Sequence, residues 1–180
     1  MPNSPYRSLI FCLLFLVGFL GAFAPAQGQT MYFGLGPQVT SPQLRLGIEG
    51  RGYYQLTPQL RLAGLVQYEL PVRGQQPDAV RAGAQINYLL KAKEITVYPL
   101  AGLAYRHSFY RSGTTPADNY PTTETSPQAL AGLGLFRREG RIGISVEYEL
   151  NYLLDSEQSL PLRHLFGIYI IGPFHPKPHE

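Results

Sequence analysis

The chain has 180 residues, enough for one domain once a leader is set aside. Charged residues make up 15%, against about 25% in soluble domains, and the net charge is only +3. The arginines are scattered singly, which argues against nucleic acid as a partner, and the lone cysteine excludes a disulfide scaffold or a thiolate zinc site.

Residues 1–26 have the order of a secretory signal peptide. Arg7 gives a positive start, Leu9 to Ala24 is apolar, and Ala24-Pro25-Ala26 is a small-x-small cleavage site. Cleavage is expected between about residues 26 and 29. Cys12 lies in the middle of the apolar run, so it is a passive hydrophobe of the leader and not a lipidated terminus.

From Met31 onward the chain alternates in hydropathy. Side chains of a strand point to opposite faces with period two, so each alternating run reads as a strand with one apolar and one polar face. The runs are Met31 to Pro37, Gln43 to Leu56, Gln59 to Leu70, Ala79 to Leu90, Glu94 to Ser108, Pro127 to Arg137, Arg141 to Leu154 and Leu162 to Ile171. These eight segments are Tyr-rich and β-branched, with turn residues between them. The connections alternate in length. "TP" at 57–58, "KAKE" at 91–94 and "REG" at 138–140 are tight. "QVTS", "PVRGQQPD", Phe109 to Ser126 and "DSEQSLP" are longer. The expected fold is all-β, an eight-stranded antiparallel up-and-down transmembrane β-barrel over residues 30–172, with a short tail at 173–180. Short turns fall at one end and long loops at the other, as in outer-membrane barrels.

Which face meets lipid is decided by the cations. Twelve are arginine and three are lysine, and no lysine falls in an expected strand. Arginine suits enclosed ion pairs because its planar fork is weakly hydrated. Arg45, Arg51, Arg61, Arg81, Arg141 and Arg163 share the polar parity with Glu49, Glu69, Glu147 and Glu149, and these ten form an expected lumenal charge cluster. Leu44, Leu46, Ile48, Leu60, Leu62, Val66, Ile142, Ile144 and Val146 fall on the other parity and suit lipid. The opposite arrangement, apolar-in and polar-out, would be a soluble lipocalin-like barrel binding an apolar ligand. Arg45 and Glu69 are expected across from each other through the turn at 57–58.

The segments "VYPLAGLAYRHS" and "ALAGLGLFRREGRIGISVEYELNY" resemble strand patterns of the small outer-membrane β-barrel family, the OmpA-like and opacity-protein-like eight-stranded barrels of Gram-negative bacteria. The resemblance implies an outer-membrane location, contact with outer-membrane lipid and with the barrel-assembly machinery, and a monomer of the porin-family type. Many such barrels end on a terminal aromatic. Here "FGIYIIGPF" is followed by "HPKPHE", a departure that bears on assembly.

Chemistry-bearing motifs are few. His107 and Ser108 could suggest the His-x-Ser hydrolase motif of lipid A deacylases, but adjacent strand residues face opposite sides. Glu147 and Glu149 share a face and could act as an acid–base pair or hold a metal, although pairing with lumenal arginines fits better. "HPKPH" in the tail reads as solvated. "GLG" at 34–36 and 132–134 precedes no helix, so it cradles no phosphate. The expectation is a non-enzymatic barrel without cofactor or metal, its lumen plugged, acting structurally or through its long loops. The alternatives are a lipid A-modifying barrel enzyme and the soluble periplasmic barrel.

Overall fold

The computed structural model describes residues 31–72, 76–110, 123–154 and 162–173, so the expected signal peptide and tail lie outside the described residues. Nine strands run in chain order: β1 Met31–Ser41, β2 Arg45–Gln55, β3 Leu60–Pro71, β4 Asp78–Tyr88, β5 Leu90–Ala92, β6 Ile95–Phe109, β7 Thr123–Glu139, β8 Ile142–Leu153 and β9 Leu162–Pro173. Every pairing is antiparallel. The sheet runs β4-β3-β2-β1-β9-β8-β7-β6-β5, and β4 also pairs with β6, which closes it. β4 and β5 are two parts of one stave, interrupted at Leu89, whose amide donates to the Gln59 carbonyl at 2.7 Å. The result is a closed eight-stave barrel with no sheet edge left open.

The alternation resolves into an inside and an outside. On β8, Gly143, Ser145, Glu147, Glu149, Asn151 and Leu153 are buried, while Ile142, Ile144, Tyr148 and Tyr152 are exposed. β9 and β1 repeat the pattern. Large aliphatic and aromatic side chains are exposed along the staves, among them Leu46, Ile48, Leu103, Leu133, Ile144, Phe166 and Ile170, and among the described residues the exposed arginines and lysines lie at the short-turn end. The largest fully buried side chains include Arg45, Arg51 and Arg81. This inverts the distribution of a soluble protein. The interior is therefore not the apolar pocket that a lipocalin-like barrel requires.

Three connections depart from expectation. β1 continues through Ser41, so "QVTS" is strand and the β1–β2 connection is a tight turn at 42–44. Gln38 and Thr40 are polar because they face the lumen, where they are buried, and not because the chain turns there. β7 begins at Thr123, pairing with Phe109, so the longest connection shrinks to 110–122. The "KAKE" turn also contributes Lys91 to β5, exposed at the barrel end. The remaining long connections still share one end with the 42–44 turn, and the turns at 56–59, 93–94 and 140–141 share the other.

Two small apolar clusters sit in the interior beside the polar layers. Tyr53, Ala63, Tyr169 and Ile171 pack together with Tyr32 and Phe136 toward the short-turn end, and Leu65, Ala104 and Leu130 form a second cluster. Glycine makes room for the aromatics. A Cβ at Gly134 would lie 2.2 Å from the Tyr98 ring, its cross-strand neighbour.

Candidate functional site

Nine of the ten residues expected in the lumenal charge cluster face the interior and are buried: Arg45, Glu49, Arg51, Arg61, Glu69, Arg81, Glu147, Glu149 and Arg163. Arg141 does not. It is exposed in the β7–β8 turn, one residue short of the ladder that begins at Ile142, so strand parity does not govern it.

The centre of the lumen is organised by Arg51. Its guanidinium donates to Glu49 and Glu147, to Glu149 Oε1 at 2.5 Å and to the Tyr169 hydroxyl at 2.9 Å. It stacks over the Tyr169 ring 4.2 Å from the centroid. Arg81 reaches from β4 to Glu49 Oε2 at 2.7 Å, Glu149 Oε2 at 3.2 Å and Asn151 Oδ1 at 2.7 Å. Tyr98 of β6 donates to Glu147 and meets Ser145. The network thus links β2, β4, β6, β8 and β9 across the lumen rather than along the wall. Two cations hold three carboxylates here, and Arg61 adds a third positive charge below them. Its guanidinium lies 4.3 Å from the Tyr53 ring centroid and 4.8 Å from that of Tyr98. With its amide turned to match its neighbours, Asn87 accepts from Arg61 Nη2 at 3.0 Å.

A second cluster lies toward the long-loop end. Glu69 Oε2 is 3.2 Å from Arg45 Nε and 3.3 Å from Arg106 Nε. Arg45 faces Pro71 in the ladder and Glu69 faces Gly47, so the pair is diagonal. Arg45 also donates to the Pro77 carbonyl, and Arg106 Nη1 donates to Ser108 at 2.6 Å.

Burying unpaired charges would be prohibitive, whereas a hydrogen-bonded network is tolerable and specifies geometry. The carboxylates are therefore committed to ion pairing. Glu147 and Glu149 both accept from Arg51, which sits where their oxygens converge with those of Glu49. Among the described residues, no group of three or more His, Cys, Asp or Glu side chains is placed to hold a metal ion. His107 and Ser108 point to opposite faces. His107 contacts Thr125 Oγ1 at 3.0 Å and stacks on Phe109, while Ser108 is buried against Arg106.

Sequence reasoning did not find Arg106, Tyr53, Tyr98 and Tyr169. Around Arg106, "PLAGLA" is apolar on both faces, so the parity of the strand is blurred. The three tyrosines resemble the outer ones in composition and differ only in register. The register of the arginine two positions from Tyr53 was the available signal. At the short-turn end, a cavity of about 660 Å³ opens between Tyr32, Arg61, Lys91, Lys93, Arg138 and Arg141.

No family model matches the chain, and no curated protein matches it. Solved structures do. The N-terminal β-barrel domain of Pseudomonas aeruginosa OprF is 16% identical, with TM-score 0.65 over 83% of this chain and 100% of that one. Neisserial surface protein A is 14% identical, with TM-score 0.65 over 83% and 99%. The outer membrane enzyme PagL is 15% identical, with TM-score 0.51 over 79% and 99%. The fold is that of the eight-stranded outer-membrane barrels.

Proposed function

We propose that the protein is an integral outer-membrane barrel that acts structurally or by surface contact through its loops, with a lumen closed to bulk flow by its ion-pair network. One observation carries the reading: the barrel exposes an aliphatic belt while it buries arginine and glutamate. Strands of 11–12 residues, the length of most staves, match what a tilted transmembrane β-strand needs. Leu103 is 65% exposed and Ile170 62%, near mid-strand and near the short-turn end respectively, where water would disfavour such a belt. An aromatic and histidine girdle toward the long-loop end fits a headgroup boundary. It includes Tyr105, Tyr152 and the hydrogen-bonded pair Tyr148–His164, 2.6 Å apart. The likeness to OprF and Neisserial surface protein A supports the same location.

The enzyme reading draws only on a likeness of fold to PagL, and His107 and Ser108 cannot act on one substrate from opposite faces. The reading includes secretion through the leader, assembly by the barrel-assembly machinery and a monomeric state in lipid. Its test is topological. Single cysteines at Thr115 and at Glu139 are exposed on intact cells to an impermeant thiol reagent. Thr115 should label and Glu139 should not, in an outer-membrane fraction whose N-terminus begins near Gly28. Labelling at Glu139 alone inverts the orientation, and recovery of both variants in the soluble fraction overturns the proposal.

A further inference from the structure

The two charge clusters of the lumen are not built alike. In the central one, each of the cations Arg51 and Arg81 meets carboxylates. Toward the long-loop end, among the described residues, three buried arginines, Arg45, Arg106 and Arg163, accompany two buried carboxylates, Glu69 and Asp78. Arg45 and Arg106 already converge on the same oxygen of Glu69. Arg163 is 9% exposed, and its Nη1 is buried without a hydrogen-bond partner. The charges that act on it are those of Arg106, Glu69, Arg45 and, at the rim, Glu124. Glu124 accepts from Ser126 at 3.3 Å, and Asp78, whose charge acts on Arg45, takes the Tyr68 hydroxyl at 2.5 Å.

Two further buried donors without a partner lie on the strands that follow β9 in the sheet, β8 and β7. Asn151, directly across from Arg163 on β8, leaves its Nδ2 buried and unpartnered. Gln128, one strand further on β7, leaves its Nε2 in the same state. A buried N–H without an acceptor is costly, and a buried guanidinium more so. Water could accept two such bonds, but it supplies no charge. A tetrahedral oxyanion supplies several acceptor oxygens and one or two negative charges, and the guanidinium fork matches it in pairs. The narrow lumen of an eight-stave barrel limits the occupant to something small. We propose that the loop end of the lumen is a binding site for a tetrahedral oxyanion, phosphate or sulfate, held by Arg45, Arg106 and Arg163. The anion is either a free ion or the phosphoryl or sulfate ester of a surface glycan or headgroup reaching into the mouth. The site does not depend on which end of the barrel faces outward.

The full chain, folded in detergent micelles, is titrated calorimetrically with inorganic phosphate, with ionic strength held constant by chloride. Saturable binding at one site is expected. Arg163→Gln should weaken it about tenfold or more, and Glu69→Gln, which removes the competing carboxylate, should strengthen it. Arg141→Gln, at the opposite end, should leave it unchanged. If Arg163→Gln does not fold, Arg163→Lys keeps the charge, loses the fork and should still bind several-fold more weakly. Absence of saturable binding, or equal binding by the Arg163 variants and the parent, overturns the proposal. Glucosamine 1-phosphate separates the two sources. Binding comparable to inorganic phosphate supports the ester, and binding of inorganic phosphate alone supports the free ion.

Discussion

Arg51 is the residue on which the interior depends most. It is fully buried and bridges three carboxylates from two strands. Removing it strands those charges, so Arg51→Met should lower the unfolding free energy in detergent by at least about 3–5 kcal/mol. Glu69→Ala should fall in the same range, and replacing Arg45 and Glu69 together with neutral partners should recover part of the loss. Arg137 is the internal control. It pairs with Glu94 and Glu139 but is 59% exposed, so Arg137→Ala should cost about 0–1 kcal/mol. Urea titration followed by heat-modifiable gel mobility reads all of these. Equal effects of Arg51→Met and Arg137→Ala would mean that the polar face is solvated. The excess of arginine over lysine made these charges legible as an enclosed cluster, since residues of both signs share one parity. Arg106 was not legible, because small apolar residues on both faces of its strand hide the alternation. Arg141 misled for the converse reason: its number fits the parity, but a turn residue has no parity to obey.

At the scale of elements, the β6–β7 hairpin shows how packing fixes the stave geometry. Tyr98 lies flat across Gly134, and no side chain fits between the ring and the neighbouring strand. Gly134→Ala should cost about 1–3 kcal/mol by overpacking, and combining it with Tyr98→Val should relieve part of that cost. A simple propensity effect would predict no relief, so the double variant decides between them. On the outer face of β6, Leu103 pairs with Ala84 and Ala129 and projects from the belt. Leu103→Arg should destabilise the vesicle-folded barrel by about 2–4 kcal/mol, a penalty that a water-facing position would not carry. The staves were legible because alternation sets which residues point where, and register follows from tight turns. Their ends were less so. Gln38, Thr40 and the residues after Thr123 are polar, and polarity reads as loop when its cause is a polar interior. The break at Leu89 left no mark in hydropathy, since residues on both sides of it are apolar.

At the scale of the whole molecule, the barrel is held from within by ions and presents hydrocarbon to its surroundings. Closure removes every sheet edge, and the aliphatic belt then becomes the surface that must find a matching solvent. The asymmetry between short turns at one end and longer connections at the other gives that surface a direction. What the loops contact was not legible, because their composition is polar without a pattern that selects a ligand. The overall inversion was legible from a single alternating stretch, Gln43 to Leu56, once lysine was seen to be absent from it. The chain has no tryptophan, so a tryptophan introduced at one site reports that site alone. Leu103→Trp and Ile168→Trp place the probe on the belt, and Gln59→Trp places it in an exposed turn. Each variant is folded into phospholipid vesicles whose acyl chains carry bromine at a known depth. Strong quenching with blue-shifted emission at Leu103 and Ile168, and little at Gln59, is expected of a lipid-facing belt. Red-shifted, unquenched emission at both belt positions in the folded protein would contradict it.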